Sequence, residues 1–326
     1  MNLWNDTHNQ HFLPQVEQRL NAANPGAPKE KQRIYAFKIR DRETSSIELE
    51  HPSGRAISHN LSLKDLFSFD VPPAQKQRMN FEALFQRYEK GVLRHTQNLL
   101  GKLAVNDGNV GDEIVNLFAA KILNFARNPF SITKILNTFG KLAEYEPTAT
   151  LTKQMFDRIL HGRRPHQERL CARLGISDTD YTRWLRMLFM LFVEYEKEGT
   201  TMLDGTVKGL FEPKDHDVAV LICTYSSANC LMSDRSFSTN SDCPGAAGFD
   251  FNLRSNAFIR YMFADVDSLI PPSAPRSLVE AYKAQQRPIR VDHRVDNLDL
   301  LRGFNRNVID QCHSRVFCSG TDAILV

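Results

Sequence analysis

The residue types capable of chemistry are spread along this chain rather than gathered in one motif. His11 opens the run His11-Phe12-Leu13-Pro14-Gln15, and Glu89 follows Tyr88 in a helix-like stretch. Arg127 precedes Asn128-Pro129, and Ser233-Asp234 follows the apolar pair Leu231-Met232; Asn305 and Arg315 stand near the end. Histidine serves as a general base or a metal ligand near neutral pH. Its apolar and proline neighbours fix the path of His11, while the competing account is a polar histidine that only hydrogen-bonds. Asp234, just past a strand-like run, is held on a rigid element. It is expected either to ligate a divalent metal, to orient His11, or to form a turn with its own backbone. Glu89 is expected to pair with Arg127, as a functional couple or as a salt bridge tying two helices. The planar fork of Arg127 also suits a phosphate or carboxylate.

His11, Glu89 and Asp234 are therefore the catalytic candidates, with His11 and Asp234 also the metal candidates. Mg²⁺ or Mn²⁺ suits such carboxylate and imidazole ligands. Arg127, Arg163, Arg164 and Asn305 are the substrate-binding candidates; Ser236, Asp242 and His293 are weaker ones. The Gly-x-Ser-x-Gly elbow and the His-Glu-x-x-His helix are absent from the sequence, which removes support for a serine hydrolase or a zincin.

The elements that must position these residues fall into three stretches. Arg33 to Ile39 alternates with Tyr35, Phe37 and Ile39 on one face, predicting a strand, and Ser46 to Leu49 predicts its hairpin partner. From about Arg78 the apolar period becomes helical. One helix through Phe81, Leu84, Phe85, Tyr88, Val92, Leu99 and Leu103 stops at Asn106-Asp107-Gly108-Asn109. A second, capped by Asp112, ends before Pro129. A third starts at Ser131, a short fourth covers Met155 to Leu160, and Ser177 with Asp180 reads as a capping box opening a fifth. After Gly199, strands are expected over Asp217 to Cys223, Asn229 to Met232, Gly248 to Leu253 and Phe258 to Phe263. The first of these reads as buried on both faces. Val295 to Cys312 predicts a final helix and Arg315 to Cys318 a last strand. This order predicts an α+β fold: one domain over 1–326, with a small mixed sheet from N- and C-terminal segments and 78–198 as a helical sub-domain. The Gly-rich phosphate loop of a nucleotide-binding βα unit is missing.

The 326 residues carry a formal net charge of +3, too small to mark a nucleic-acid binder by itself. The basic residues are concentrated, however. Arg158, His161, Arg163, Arg164, His166, Arg169 and Arg173 fall in one segment whose only carboxylate is Glu168. This is either a phosphate-binding patch or an ordinary solvated face. No membrane-spanning run and no secretory signal are expected, which points to a cytoplasmic protein. The six cysteines form no Cys-x-x-Cys pair and are expected to be buried free thiols.

Together these motifs resemble the bacterial domain-of-unknown-function family 4238. His11-Phe12-Leu13-Pro14-Gln15 is similar to its His-Tyr-Val-Pro opening. The strand Arg33-Ile34-Tyr35-Ala36-Phe37, the helix bearing Glu89 and the step Arg127-Asn128-Pro129 follow in the same order. Ser233-Asp234-Arg235-Ser236 stands where that family has Ser-Asp-Asn-Pro, and Asn305 to Phe317 resembles its last helix and strand. The paired His-His start is reduced to Gln10-His11. The resemblance implies a bacterial cytoplasmic protein and no particular activity. The residues themselves point to a hydrolase acting on nucleic acid or nucleotides, as a toxin or phage-defence effector. The alternative is a non-enzymatic sensor or interaction protein, with a protein partner or a second copy of itself, whose polar cluster is structural.

Overall fold

The alternation around Tyr35 becomes a nine-residue strand, Arg33–Asp41, in the computed structural model, which describes residues 3–73, 76–195, 199–212, 216–240, 245–270, 273–285, 287–322 and 326. This strand pairs antiparallel with Ser46–Leu49 on one side and Arg315–Cys318 on the other, placing Phe37 opposite Leu49 and Val316. Met232–Ser233 adds to the far side of Arg315–Cys318. N- and C-terminal segments thus share a sheet, as the sequence predicts. The fold is α+β.

The sheet expectation needs one correction. The shared sheet is antiparallel throughout, and the mixed sheet is a second one built from C-terminal residues alone. There Ser238–Asn240, Ala246–Arg254, Ala257–Asp265 and His216–Thr224 pair antiparallel, and Arg290–Val295 joins His216–Thr224 in parallel. The excursion between Asp265 and Arg290 is long enough for the crossover that a parallel pair requires. Arg290–Val295 is an exposed edge strand whose Arg290, Asp292 and Arg294 are charged. Charge of this kind protects an edge, and it also removes the apolar signal by which a strand is read. Two small antiparallel sheets complete the N-terminal part, Trp4–Asn5 with Arg78–Asn80 and Ser68–Asp70, and Asn9–His11 with Ser62–Lys64.

The helices are α1 (Gln15–Leu20), α2 (Glu82–Ala104), α3 (Gly111–Ala126), α4 (Ile132–Phe139), α5 (Thr150–His161), α6 (Gln167–Leu174), α7 (Asp178–Leu191) and α8 (Met202–Leu210), followed among the described residues by the short Val266–Leu269 and Arg276–Ala284 and a C-terminal helix Leu298–Gln311. Helix α2 starts later than the periodicity suggests, because Arg78–Asn80 is a strand and the Asn80 Oδ1 accepts the Glu82 amide at 3.0 Å. Asp112 lies in the first turn of α3 without capping it, where its charge suits the helix dipole. Ser177 does cap α7, its Oγ accepting the Asp180 amide at 3.0 Å. Helix α3 is buried over most of its surface, between α2 and the second sheet. The Phe118 ring lies among Phe211, Phe251, Tyr261 and Phe263. The Trp184 Nε1 donates to the Ala126 carbonyl at 2.8 Å, joining α7 to the end of α3. One apolar cluster runs from Leu3 to Phe317, so the helical block shares its core with both flanking segments. The five described cysteines are buried free thiols, and Cys243 lies outside the described residues. Among the described residues no helix is long and apolar enough to cross a membrane.

Candidate functional site

Helix α3 ends on Arg127, and its fully buried guanidinium is the hub of a polar cluster. Its Nη1 lies 2.5 Å from the Glu89 Oε1, its Nη2 donates to the Asn124 Oδ1 at 3.1 Å, and the Phe85 ring centroid lies 4.8 Å from its central carbon. The Glu89 side chain keeps 26% of its surface in solvent, so the pair reaches from the interior to the surface. His11 ends the strand Asn9–His11, where pairing with Ser62–Lys64 holds its backbone, and the Gln15 Nε2 lies 3.3 Å from its Nε2. Burial drives its imidazole down to about 4. The Ile57 carbonyl opposes that shift, the Arg127 charge adds to it, and the Glu89 charge opposes it. His11, Glu89 and Arg127 therefore sit within electrostatic reach of one another.

Glu82 belongs to the same group and was not singled out in the sequence. It stands two helical turns before Glu89, on the same side of α2. Burial pushes its carboxyl up to about 7, with Arg127 opposing and Glu89 reinforcing. Its Oε1 is buried with no hydrogen-bond partner among the described residues. The seven-residue spacing from Glu89 is the signal that marks it.

From Arg127 the cluster continues inward along one stripe of α3. The Asn124 Nδ2 donates to the Glu17 Oε1 at 2.5 Å, and the Lys121 Nζ reaches the Glu17 Oε2 at 2.5 Å and the Asn252 carbonyl at 2.7 Å. The Asn21 Nδ2 donates to the Asn252 Oδ1 at 2.8 Å. Lys121, Asn124 and the C-capping Arg127 recur at intervals of three on a helix that is otherwise mostly apolar, a spacing that marks them in the sequence.

Asp234 is buried, but its carboxylate is turned onto the chain's own backbone. One oxygen accepts the His313 amide at 2.7 Å; the other accepts the Ser314 and Arg315 amides at 2.8 and 2.9 Å and the Ser314 hydroxyl at 3.2 Å. Burial pushes the carboxyl up, against the lowering by these amides. The Phe130 ring stacks on His313 at 4.2 Å and meets Phe12, the neighbour of His11, edge-on at 5.3 Å. No bond joins Asp234 to His11 among the described residues. The His11–Asp234 pair does not fit a divalent ion, because both aspartate oxygens are already committed to four donors. Among the described residues no group of three or more His, Cys, Asp and Glu is placed to hold a metal.

The remaining candidates lie elsewhere. Arg163 is exposed and its Nη1 donates to the Val71 carbonyl at 3.1 Å, while the half-buried Arg164 bonds the Ile159 carbonyl at the end of α5. Asn305 is buried and clasps a loop, its Oδ1 accepting the Leu231 amide at 2.9 Å and its Nδ2 donating to the Asn229 carbonyl at 3.3 Å. His293 stands on the exposed edge strand, 2.9 Å from the Thr224 Oγ1. Ser236 takes a left-handed turn with φ 71°, and Asp242 falls outside the described residues. No family model, no curated protein and no solved structure matches this chain. The cluster's geometry therefore carries the functional argument alone.

Proposed function

We propose that this chain is a cytoplasmic hydrolase of phosphate esters in nucleic acid or nucleotides, a toxin or phage-defence effector, acting at the polar cluster of His11, Glu82 and Glu89 around Arg127. The observation that carries the reading is the opposed tuning of two neighbours of one ion pair. Burial holds His11 near 4 and Glu82 near 7, so the imidazole is neutral at neutral pH while the carboxyl titrates there. Perturbed groups of this kind concentrate at working sites. A group titrating near the operating pH is the one matched to moving a proton. Ionised Glu82 takes a proton from water as the water oxygen bonds to phosphorus. The leaving oxygen then takes that proton back as its bond to phosphorus breaks. Neutral His11 orients the water or the ester. Buried Arg127 does not touch substrate; it holds Glu89 in place. The exposed Arg163, Arg169 and Arg173 would attract a polyanion. The opening His11-Phe12-Leu13-Pro14 supports placing the chain beside family 4238.

Labelled DNA, RNA and nucleotides, each with and without Mn²⁺, provide the test. Product is expected from the parent protein, with a rate rising as pH passes about 7, and loss is expected in Glu82→Gln and His11→Ala without any fall in the thermal midpoint. Absence of product from every substrate, or full activity in both variants, would overturn the reading.

A second reading has its own observation. The chain of bonds from Glu89 through Arg127, Asn124, Glu17 and Lys121 to Asn252 joins α2, α3, α1 and the second sheet. On that account the cluster is a structural spine of a non-enzymatic sensor or interaction protein. Under it, His11→Ala would lower stability and Glu82→Gln would alter no turnover.

A further inference from the structure

Helices α2, α3 and α8 leave two adjoining cavities, of about 380 and 400 Å³, which share Tyr88, Asn116 and Asp204 in their walls. The first is cationic. Arg87, Lys90, Arg94 and His95 line it from α2, at the three- and four-residue spacing that gathers side chains on one face of a helix. Gly91 lines the same wall, and a Cβ there would come within 2.8 Å of the His95 ring. Glycine inside a helix carries a conformational cost, and here its bare backbone leaves the cavity room. Asp204 is the one carboxylate in this wall among the described residues, and it is already committed. Its Oδ2 lies 2.9 Å from the Arg87 Nη2, and its Oδ1 accepts the Tyr88 hydroxyl at 2.9 Å. The Arg94 Nη2 lies 3.3 Å from the His95 Nε2. Lys90 and Arg94 have no ion-pair partner among the described residues, so the wall holds two positive charges beyond the Arg87–Asp204 pair.

We propose that this groove binds a nucleoside polyphosphate, its phosphates against Arg87, Lys90 and Arg94 and its nucleoside in the second cavity. That cavity is walled by Val115, Ala119, Val207 and Phe211, with Lys208 and Glu212 beside them. An apolar wall with a few placed polar groups is the pattern of a small-molecule site, and each volume lies within the usual range. An acyl chain there would leave Asn116, Lys208 and Glu212 without partners once it excluded water. The edges of a base and the hydroxyls of a ribose supply those partners. The planar Arg94 fork and the Lys90 ammonium both suit phosphate oxygens, and charge-assisted hydrogen bonds are stronger than neutral ones. The cationic stripe lies on the side of α2 away from Glu82 and Glu89. The inference is therefore independent of the hydrolase reading.

Calorimetric titration of the full chain with the hydrolysis-resistant imidotriphosphate analogues of ATP and GTP tests the assignment, with tripolyphosphate and decyl phosphate in parallel. Saturable binding of at least one analogue is expected, tighter on the order of tenfold than either control, because only the nucleotide satisfies both cavities. The double variant Lys90→Gln with Arg94→Gln, at two exposed positions, should lose about tenfold or more of that affinity. No binding of either analogue up to the millimolar range overturns the proposal. So does a folded double variant that binds like the parent, the result expected if the nucleotide sits at the Arg127 cluster instead. Tripolyphosphate binding as tightly as both analogues would reduce the groove to a bare anion patch, and decyl phosphate doing so would make its occupant an amphiphile; either overturns the nucleoside assignment. The parent's own preference decides the matter if the variant does not fold.

Discussion

At the scale of single residues, the two tuned groups beside Arg127 make opposite demands on pH. His11 titrates at about 4 in the folded chain against 6.5 for a free imidazole. Its folded form resists protonation, so its contribution is complete above 6.5 and is lost as pH falls towards 4. Glu82 titrates at about 7 against 4.5. Its contribution is complete below 4.5 and is lost as pH rises through 7. Glu82→Gln keeps the neutral amide shape and removes the alkaline loss. The variant is expected to exceed the parent in stability by about 1 to 3 kcal/mol near pH 8.5, and to show no such gain near pH 5. Denaturant titrations at the two pH values measure this; a variant weaker than the parent at both would show that Glu82 is stabilised as a carboxylate. Glu82 was legible only in part. Its spacing from Glu89 places it on the same side of the helix, but burial and an unmatched oxygen are properties of the folded neighbourhood, not of the residue type.

At the scale of elements, Asp234 joins three of them. Its carboxylate gathers the amides that follow the C-terminal helix, its amide donates to the Arg315 carbonyl at 3.1 Å, and its own carbonyl accepts the Asn128 Nδ2 at 2.8 Å. Asp234→Ala leaves three backbone amides facing a space without an acceptor. The expected cost is about 3 to 5 kcal/mol, from the desolvation penalty of unmatched buried donors. Asp234→Asn retains one acceptor oxygen and should cost less. Urea unfolding checks the order parent, Asn, Ala; equal stability of all three would contradict the clasp. Its contacts are not those of the local turn that the sequence left open for Asp234, because the bonds are made across some 80 residues. A residue type cannot announce such partners. The elements themselves were legible where one face is apolar, as in Arg33–Asp41, Ser46–Leu49 and Arg315–Cys318. They were hidden where the few apolar residues stay exposed, as in Arg290–Val295, or where a side-chain contact such as Asn5 with Asn80 accompanies strand in helix-like sequence.

At the scale of the whole molecule, one apolar cluster and one polar spine cross all three stretches of the chain. Lys121 lies almost entirely out of solvent on α3, and its partners come from α1 and from the second sheet. Removing a charge from such a pair leaves its partner buried without compensation, which typically costs about 3 to 5 kcal/mol. Replacing both members with apolar residues of similar volume is often close to neutral. Lys121→Met is therefore expected to destabilise strongly, whereas Lys121→Met combined with Glu17→Leu should recover most of the loss, with a coupling on the order of 2 kcal/mol. The recovery stays incomplete because the Asn124 Nδ2 also loses the Glu17 oxygen it donates to. Because Lys121 binds both an N-terminal carboxylate and a C-terminal carbonyl, the single variant should weaken the molecule as one unit. Fluorescence of Trp4 and Trp184 and far-ultraviolet dichroism should then give coincident unfolding transitions in the parent and in each variant. Separate transitions, with the helical block outlasting the sheets, would mean that its core is independent despite the shared cluster. Simple additivity of the two substitutions would mean that the spine holds no stability beyond its separate side chains.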